Sequence, residues 1–588
     1  MHTEGPSRKH SEFRRHLDAD WTAWLHESPE LATVVGFPGL NDRWTDDSEE
    51  GIARRRALLA DCRRRLAEVD RTRLSPGDQL DFDIYSELLE TATAGLEFGD
   101  DPFPYSFGMP HNLWMPLNQM EGVHVGASDI LELQPRSRAA DYGPILDRLR
   151  RLDRAVDQNR ALLIAGRRRG YLPPRVAIRG VPDQIRSLVP ADAMESALLH
   201  PFVEFPTAVP EADRPALVAE AKSVYDASVR PAFERLLEYL TEEYLPACRE
   251  SVGASALPNG AASYAHHVRG QTTTAYSPKE IHEIGLAEVR RIRTEMEAVM
   301  TRTGFQGTFR EFLTFLKTDP RFFFARPDDL IEAYRALAKK TDPALSRLFG
   351  RLPRLQYGVL PVPEFKAPSS PTAYYMGGSP VNGRPGYFFA NTYDLKARPK
   401  WEMEALALHE SVPGHHLQIA LAQELDEVPE FRRYSGPTAF VEGWGLYAES
   451  LGEELGLYKD PYSKVGQLTF DMWRSIRLVV DTGMHALGWS RDQAIDFFRQ
   501  NTGKSDLDIS VEVDRYIVWP GQALAYKIGQ LKFRELRGRA ESRLGDRFDV
   551  RRFHDLVLEE GALSLARIED RVTAWVESEA RAAGPRAS

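Results

Sequence analysis

The decapeptide "HESVPGHHLQ", residues 409–418, contains the residue types that bind and use a divalent metal. In the common zinc motif H-E-x-x-H, two histidines lie four residues apart on one helical face, and the glutamate acts as general base. Here Pro413 stands where the second histidine would be, and the next imidazoles are His415 and His416. On an unbroken helix, six residues rotate the chain by roughly 600° and seven residues raise it by about 10 Å. Neither histidine could then share an ion with His409.

The Pro413-Gly414 pair can break the helix and so allow a second histidine to reach the same ion as His409. Proline lacks an N–H and its ring clashes with the preceding turn, whereas glycine adopts the backbone angles of a tight corner. We expect a bulge that loops two residues out and gives His415 the place of the second ligand. His416 is the alternative ligand. Two histidines still require a third protein ligand, with the fourth position open for water.

Glu442 is the predicted third ligand, because it lies near the start of a helical run 27 residues after His415. A glutamate from a second helix is the usual third ligand in one large class of zinc hydrolases. Glu449, two turns later, either supports a ligand or is exposed. The sequence therefore predicts one Zn2+ ion held by His409, His415 and Glu442. Glu410 would be the catalytic base that takes a proton from the zinc-activated water and passes it to the leaving amine.

The elements that must position these residues are mostly helices. Capping boxes open predicted helices at 277–280, 308–311 and 490–493, where Ser or Thr is followed three residues later by Glu or Gln. Apolar residues then recur at three- and four-residue spacing. We predict a mainly α protein with an N-terminal helical lobe at 1–270 and a catalytic helical lobe at 271–588.

One region departs from the helical pattern. "TAYYMGG" at 372–378 and "YFFANTY" at 387–393 favour strands, and the Asn382-Gly383 pair between them favours a turn. We expect a small β-hairpin or sheet within 355–395, beside the active-site cleft, whose edge strand could hold an extended peptide by main-chain hydrogen bonds. The candidates for substrate contact in this region are Tyr387 and Asn391.

Composition narrows the class of protein. The chain has 588 residues, 42% of them hydrophobic and 27% charged, which is ordinary for a globular protein. A formal net charge of −11 argues against a nucleic-acid partner. Two cysteines imply no disulfide framework, and no apolar run is long enough to span a bilayer. We expect a cytoplasmic protein without a membrane or nucleic-acid partner, and the sequence leaves the oligomeric state open.

Several motifs recur in a family of known proteins. They are "LPNG" (257–260), "TTTAYSPKEIHEIGLAEV" (272–289), "LALHESVPGHHLQ" (406–418), "FVEGWGLYAE" (440–449), "RLVVDTGMHALGWS" (477–490) and "RYIVWPGQALAYKIG" (515–529). In their order and spacing the chain resembles the bacterial family called domain of unknown function 885, whose members look like gluzincin metallopeptidases. It is similar, more distantly, to the thimet-type oligopeptidases. The resemblance implies a large multi-helix metallopeptidase-like fold with a channel and a zinc site deep inside.

The resemblance also implies a donor for the developing oxyanion. Tyr526 in "QALAYKIG" matches the tyrosine-bearing helix that faces the zinc in the thimet-type enzymes. Tyr516 and His485 are weaker candidates for the same role. Arg477 and Arg515 are candidates to bind a substrate carboxylate, because a guanidinium pairs with carboxylates in a bidentate manner.

These observations predict a zinc-dependent hydrolase that cleaves peptide bonds in short peptides or a peptide-like amide. Two alternatives remain open. A non-haem iron enzyme can use the same His/His/Glu triad, although an oxygenase has no need of a base such as Glu410 beside a ligand. The other alternative is a metal-binding scaffold without catalysis.

Overall fold

Helices carry most of the chain, as the periodicity predicts, and the fold class is mainly α. The computed structural model describes residues 11–105, 111–364, 367, 370–378 and 384–582. The chain divides into two compact units. The first contains the described residues up to Ser263 together with Pro429–Phe431, and the second contains Tyr264–Val428 and the described residues from Arg432 onward.

The first unit is built from short and medium helices around an apolar core. Its core includes Leu149, Val156, Phe233 and Leu236, all fully buried. The helices before residue 260 are α1 Glu12–Glu27, α2 Pro29–Val35, α3 Glu49–Ala67, α4 Pro76–Gly95, α5 Val123–Leu133, α6 Tyr142–Arg150, α7 Leu152–Arg168, α8 Arg175–Ile178, α9 Val181–Leu188, α10 Arg214–Val224, α11 Arg230–Tyr239 and α12 Leu245–Ala247.

The second unit contains the helices that carry the predicted site. The three capping boxes of the sequence are present at Ser277, Thr308 and Ser490, where each hydroxyl accepts a hydrogen bond from the third residue of its helix. The helices from residue 260 onward are α13 Gly260–Thr272, α14 Pro278–Arg302, α15 Phe309–Thr318, α16 Pro327–Thr341, α17 Met403–Glu410, α18 His415–Gln423, α19 Glu430–Tyr434, α20 Thr438–Ser450, α21 Pro461–Ala486, α22 Arg491–Asn501, α23 Asp506–Val518, α24 Ala525–Leu544, α25 Val550–Leu558 and α26 Leu565–Ala582.

Helix α21 is the central element of the second unit and is buried along nearly its whole length. Helix α14 packs along it, and α20 packs along α24. The α20–α24 contact is close, because Gly443 and Gly529 face each other and a Cβ on Gly443 would lie 2.5 Å from the Gly529 Cα. Helices α20, α21 and α24 thereby bring together the segments that carry Glu442, Arg477 and Tyr526.

A three-stranded sheet lies in the same unit, in the order β1-β3-β2. Strand β1 spans Tyr357–Pro361, β2 spans Ala373–Met376 and β3 spans Gly386–Ala390. The antiparallel pairing of β2 with β3 confirms the two predicted strands of the hairpin. The predicted Asn382-Gly383 turn lies outside the described residues. Strand β1 pairs with β3 in parallel, so β3 is the central strand.

Two further features concern the chemistry of the chain. Cys62 and Cys248 are buried free thiols, and burial raises the pKa of each thiol to about 11. Among the helices in the described part of the chain, none is both long and apolar enough to cross a membrane.

Candidate metal site

The helix that begins at Met403 stops within the histidine motif. Helix α17 ends at Glu410, and α18 begins at His415. Ser411 (φ −107°, ψ −116°) and Gly414 (φ −79°, ψ −127°) both leave the helical region, and the Val412–Pro413 peptide bond is cis. The interruption is therefore four residues long, and the prediction of a two-residue bulge within one helix is corrected to a break between two helices.

Gly414 is required at this corner for steric reasons. A Cβ at Gly414 would lie 2.0 Å from the carbonyl oxygen of His409 and 2.3 Å from that of Leu408. Both atoms belong to the backbone of the preceding helix and cannot move aside. On the other side of the corner, the Trp444 indole donates a hydrogen bond to the Pro413 carbonyl at 2.8 Å. The break is thus held in place from α20.

The break brings His409 and His415 to a common carboxylate. The Nε2 atoms of both rings lie 3.5 Å from the same Glu442 oxygen, Oε2. The ring centroids are 4.7 Å apart and the rings are nearly perpendicular. One ligand atom from each of the three residues lies within 4.8 Å of the others. Glu442 Oε2 is buried and has no hydrogen-bond partner among the residues that the structure describes. Two imidazole nitrogens and a carboxylate oxygen are a donor set that suits zinc.

His416, the alternative ligand, lies outside this cluster. Its Nε2 is 3.1 Å from the carbonyl oxygen of Leu355, which can only accept, so Nε2 carries the proton. Its Nδ1 then accepts from the Tyr375 hydroxyl at 2.9 Å. Burial lowers the pKa of His416 to about 4, which agrees with a neutral ring. His416 therefore connects α18 to strand β2 and to the segment before β1.

The other nitrogen of His409 is held by a second glutamate. His409 Nδ1 lies 2.9 Å from Glu449 Oε1, and Glu449 is fully buried. Burial alone would lower the pKa of His409, but the carboxylates of Glu442, Glu449 and Glu410 outweigh it and raise the pKa to about 9. Burial would likewise raise the pKa of Glu442, yet the two imidazoles bring it well below its usual range. Both directions show that the carboxylates around His409 stabilise positive charge at this position.

Glu410, the predicted base, is the last residue of α17 and directly follows His409. Its side chain is largely buried, with 9% of its surface exposed. Within the described part of the chain, no group donates a hydrogen bond to its carboxylate. The carboxylate is therefore not committed to a structural contact and is available to a water molecule.

Four of the other predicted site residues lie together in a second group. Arg477 donates from Nε to the Tyr516 hydroxyl at 2.8 Å and from Nη2 to Glu512 at 2.9 Å. The Tyr516 hydroxyl donates to the same Glu512 oxygen at 2.6 Å. Arg515 donates to the Tyr526 hydroxyl at 3.1 Å. Tyr516 has thus committed its proton to Glu512, whereas the Tyr526 oxygen accepts and keeps its own proton for a further partner.

Arg474, which none of the sequence motifs indicated, links this group to the candidate metal cluster of His409, His415 and Glu442. Its Nη2 lies 3.8 Å from Glu449 Oε1, the atom that also contacts His409. Its guanidinium lies 5.9 Å from the Tyr526 ring centroid, and that of Arg477 lies 4.4 Å from the same centroid. Tyr526 and the metal cluster are therefore joined through one arginine.

A sequence signal could have found Arg474. Polar residues recur along α21 at spacings of three and four, which places them on one helical face. Because apolar residues surround these polar ones on both sides along α21, such a stripe indicates paired or functional groups rather than a solvated face. Its members, all buried, are Asp471, Arg474, Arg477, Asp481 and His485.

Three predicted site residues make structural contacts instead of lining the candidate site. His485 donates from Nε2 to the main-chain oxygen of Tyr516 at 2.9 Å, which positions α23. The Asn391 amide donates to the carbonyls of Ala367, Ser370 and Pro371, so its donors hold the loop before β2 rather than a ligand. Tyr387 lies on the central strand β3, whose main chain is already paired on both sides. A peptide could add only at an outer strand, and both outer strands contact a helix, β1 with α16 and β2 with α17.

The chain is similar to two solved structures. One is a provisionally named lipoprotein from Colwellia psychrerythraea, with 27% identity and a TM-score of 0.89, covering 97% of this chain and 100% of that one. The other is a provisionally named lipoprotein of unknown function from Shewanella oneidensis, with 16% identity and a TM-score of 0.72, covering 95% and 99%. The second likeness shows a shared fold. No curated protein is significantly similar.

The family comparison extends over most of the sequence. The model described as "Bacterial protein of unknown function (DUF885)" matches residues 29–572, a range that includes the two histidines, both glutamates and the arginine-bearing helices. A match of this extent covers far more than half of the chain. The chain belongs to the DUF885 family of bacterial proteins.

Proposed function

We propose that the protein is a zinc-dependent hydrolase that cleaves peptide bonds in short peptides or a peptide-like amide. The observation that carries the proposal is the convergence of His409, His415 and Glu442 across the helix break, with the uncommitted carboxylate of Glu410 beside it. Glu449 supports the proposal, because a carboxylate on the far nitrogen of a ligating histidine fixes its tautomer and orientation.

The three residues fit one zinc ion, which when bound supplies a Lewis acid that polarises a carbonyl and makes water acidic. Glu410 would take the proton from the attacking water and deliver it to the leaving amine. The Tyr526 hydroxyl, whose proton is free to donate, would meet the negative charge that develops on the carbonyl oxygen. The partly exposed side chains of Glu442 and His415 mark the side from which a substrate reaches the cluster.

Glu410→Gln tests this assignment. The amide keeps the size of the side chain but cannot take a proton, so we expect zinc to stay bound while hydrolysis falls by about 100- to 10,000-fold. The measurement is the zinc content of the purified variant together with its activity on a mixed short-peptide library, with products identified by mass. Glu332→Gln, an exposed glutamate paired with Arg335, is the control and should leave both values unchanged.

Two outcomes would overturn the proposal. One is full activity in Glu410→Gln, which would exclude this residue as the base. The other is a wild-type protein that binds zinc and cleaves no member of the library of peptides and peptide-like amides. Preferential retention of iron, with a reaction that depends on it, would instead support the non-haem iron alternative.

A further inference from the structure

We propose that Arg474, Arg477 and Arg515, here called the arginine group, receive a carboxylate of the substrate. The inference rests on the proposed hydrolase function and adds a substrate class to it. The preferred substrates are short peptides or amides that carry a free carboxylate, held beside the metal cluster by guanidinium groups.

The charge balance of the arginine group favours an anion. Arg477 and Arg515 share a single carboxylate, Glu512, at 2.9 and 3.5 Å. Burial alone would raise the pKa of Glu512, but the two guanidiniums lower it to about 2, so that carboxylate is charged at neutral pH. Among the residues that the structure describes, the carboxylate that pairs with Arg474 is Glu449, at 3.8 Å, and Glu449 is already engaged by His409. In the described part of the chain, the three guanidiniums of the arginine group thus pair with two carboxylates, those of Glu512 and Glu449.

The hydrogen-bonding capacity of the arginine group is also unfilled. Arg474 is only 6% exposed, yet it donates no hydrogen bond to any residue that the structure describes. Its Nε and Nη1, together with Arg477 Nη1 and Arg515 Nε, are buried without an acceptor in the described part of the chain. Buried polar groups are nearly always satisfied, and orphaned donors on a buried charge are costly. A carboxylate offers two oxygens in the geometry that guanidinium groups bind.

The position of the arginine group suits a substrate that reaches from the metal cluster. Arg474 lies between Glu449 and the Tyr526 ring, Arg477 lies against the same ring, and Arg515 donates to its hydroxyl. If the scissile carbonyl of a substrate lies between His409 and Tyr526, a carboxylate on the neighbouring residue of that substrate can reach these arginines. The Arg515 side chain is the most exposed of the three, at 17%, and so faces the side that a ligand can approach.

Equilibrium binding to the zinc-loaded Glu410→Gln protein is the test, because this variant is designed to hold a ligand without turning it over. Three N-acetylated dipeptide libraries serve as probes. The first has a free C-terminal carboxylate and neutral side chains, the second has a C-terminal amide and neutral side chains, and the third has a C-terminal amide and one Asp or Glu side chain. We expect a carboxylate-bearing library to bind about 10- to 100-fold more tightly than the neutral amides. Preference for the first or the third library tells whether the terminal or the side-chain carboxylate is received.

Arg515→Gln, made in the same background, should abolish the preference of the protein for the carboxylate-bearing library over the neutral amides. Arg491→Gln removes a comparable arginine–carboxylate pair, with Asp514, that is not part of the arginine group and should keep the preference. Arg477 also donates to Tyr516 and Glu512, so Arg477→Lys changes these contacts as well. Its binding preference is therefore compared with that of the parent at a temperature where both proteins are fully folded, and it should be weaker.

Equal binding of acids and amides, or no binding of either, overturns the arginine proposal. Hydrolysis of the same libraries by the wild-type protein is measured separately. Cleavage without any preference for acids would support the hydrolase proposal and overturn the arginine proposal. Acid-selective binding without cleavage would overturn the hydrolase proposal and support the binding of a carboxylate by the arginine group.

Discussion

Glu449 shows how a single residue orients a side chain of the candidate metal site. It is fully buried on α20, accepts from His409 Nδ1, and leaves Nε2 of the same ring turned toward Glu442. The sequence suggested either support of a ligand or exposure for Glu449, and spacing could not decide between them. Whether Glu449 contacts His409 or solvent depends on how α20 is rotated about its axis relative to α17, and this rotation is set by tertiary packing.

We therefore predict that Glu449→Leu lowers zinc affinity by about 10- to 100-fold, because the His409 ring loses the acceptor that fixes its tautomer. Glu449→Gln keeps an acceptor of the same size and should cost less. Competition against a zinc-binding dye measures both. Equal and full affinity in the two variants would mean that Glu449 has no part in binding metal.

His415 and His416 illustrate what residue-level reasoning could foresee. The rise and rotation of a helix excluded both as partners of His409 on an unbroken helix, and Pro-Gly indicated where the break would come. The choice between the two histidines depends on Tyr375 and the Leu355 carbonyl, which occupy the ring of His416. These contacts join segments about 40 and 60 residues away along the chain, so no local pattern reports them.

At the scale of elements, α20 supplies both carboxylates around His409 and also the surface on which its ring rests. A Cβ on Gly445 would lie 2.8 Å from Cε1 and 3.0 Å from Nε2 of His409. Because the ring is buried between Glu442 and Glu449, it can move aside only by leaving its ligand position. Close packing of α20 against α17 is thus part of the site.

Gly445→Ala should accordingly lower zinc affinity by about tenfold or more, since a ligand displaced by a few tenths of an ångström no longer fits the ion. Gly538→Ala on α24, where nothing lies within 4 Å of the added Cβ, is the matched control. It should keep wild-type affinity and raise the unfolding temperature slightly, because alanine favours a helix over glycine by about 1 kcal/mol. Unchanged affinity in Gly445→Ala would contradict this account of the packing.

Local signals predicted the elements better than their pairing. The capping boxes at 277, 308 and 490 and the strands on either side of the Asn-Gly pair are present. Strand β1 was not distinguished, because it joins β3 in parallel over a long connection that no turn motif announces. Arg474 was missed for a related reason, since the contacts that place it at the candidate site are made with Glu449 on α20 and Tyr526 on α24, which are distant in sequence.

For the molecule as a whole, the buried carboxyl groups of α21 predict how stability depends on pH. Asp481 accepts from the Tyr264 hydroxyl at 2.5 Å and from the Gly521 N–H at 3.2 Å. Burial raises its pKa from 3.8 to about 7, although these hydrogen bonds act in the opposite direction. The folded protein thus keeps a proton that the unfolded chain has already lost between about pH 4 and pH 7.

Stability should therefore fall by up to about 1.4 kcal/mol per pH unit across this window on account of Asp481, and level off above it. Asp481→Asn removes this slope, so its advantage in unfolding temperature over the wild type should grow from pH 4 to pH 7 and then stay constant. Calorimetry at a series of pH values measures the difference. A difference that does not change with pH would show that Asp481 is ionised in the folded protein at low pH.

Asp471 on the same helix gives a control of opposite sign. Lys527 and Arg291 contact its two oxygens and outweigh burial, so its pKa is lowered. Its stabilisation is present above the unfolded pKa and is lost as the pH falls through the lower folded value. Asp471→Asn should thus cost about 3–5 kcal/mol at neutral pH, and less in acid.

The most direct test of the metal site is a crystal of the zinc-loaded protein with diffraction data on both sides of the zinc absorption edge. The account predicts one anomalous peak, in contact with Nε2 of His409, Nε2 of His415 and a carboxylate oxygen of Glu442. An anomalous peak bound to His416 instead of His415, or no peak between these residues at saturating zinc, would contradict it.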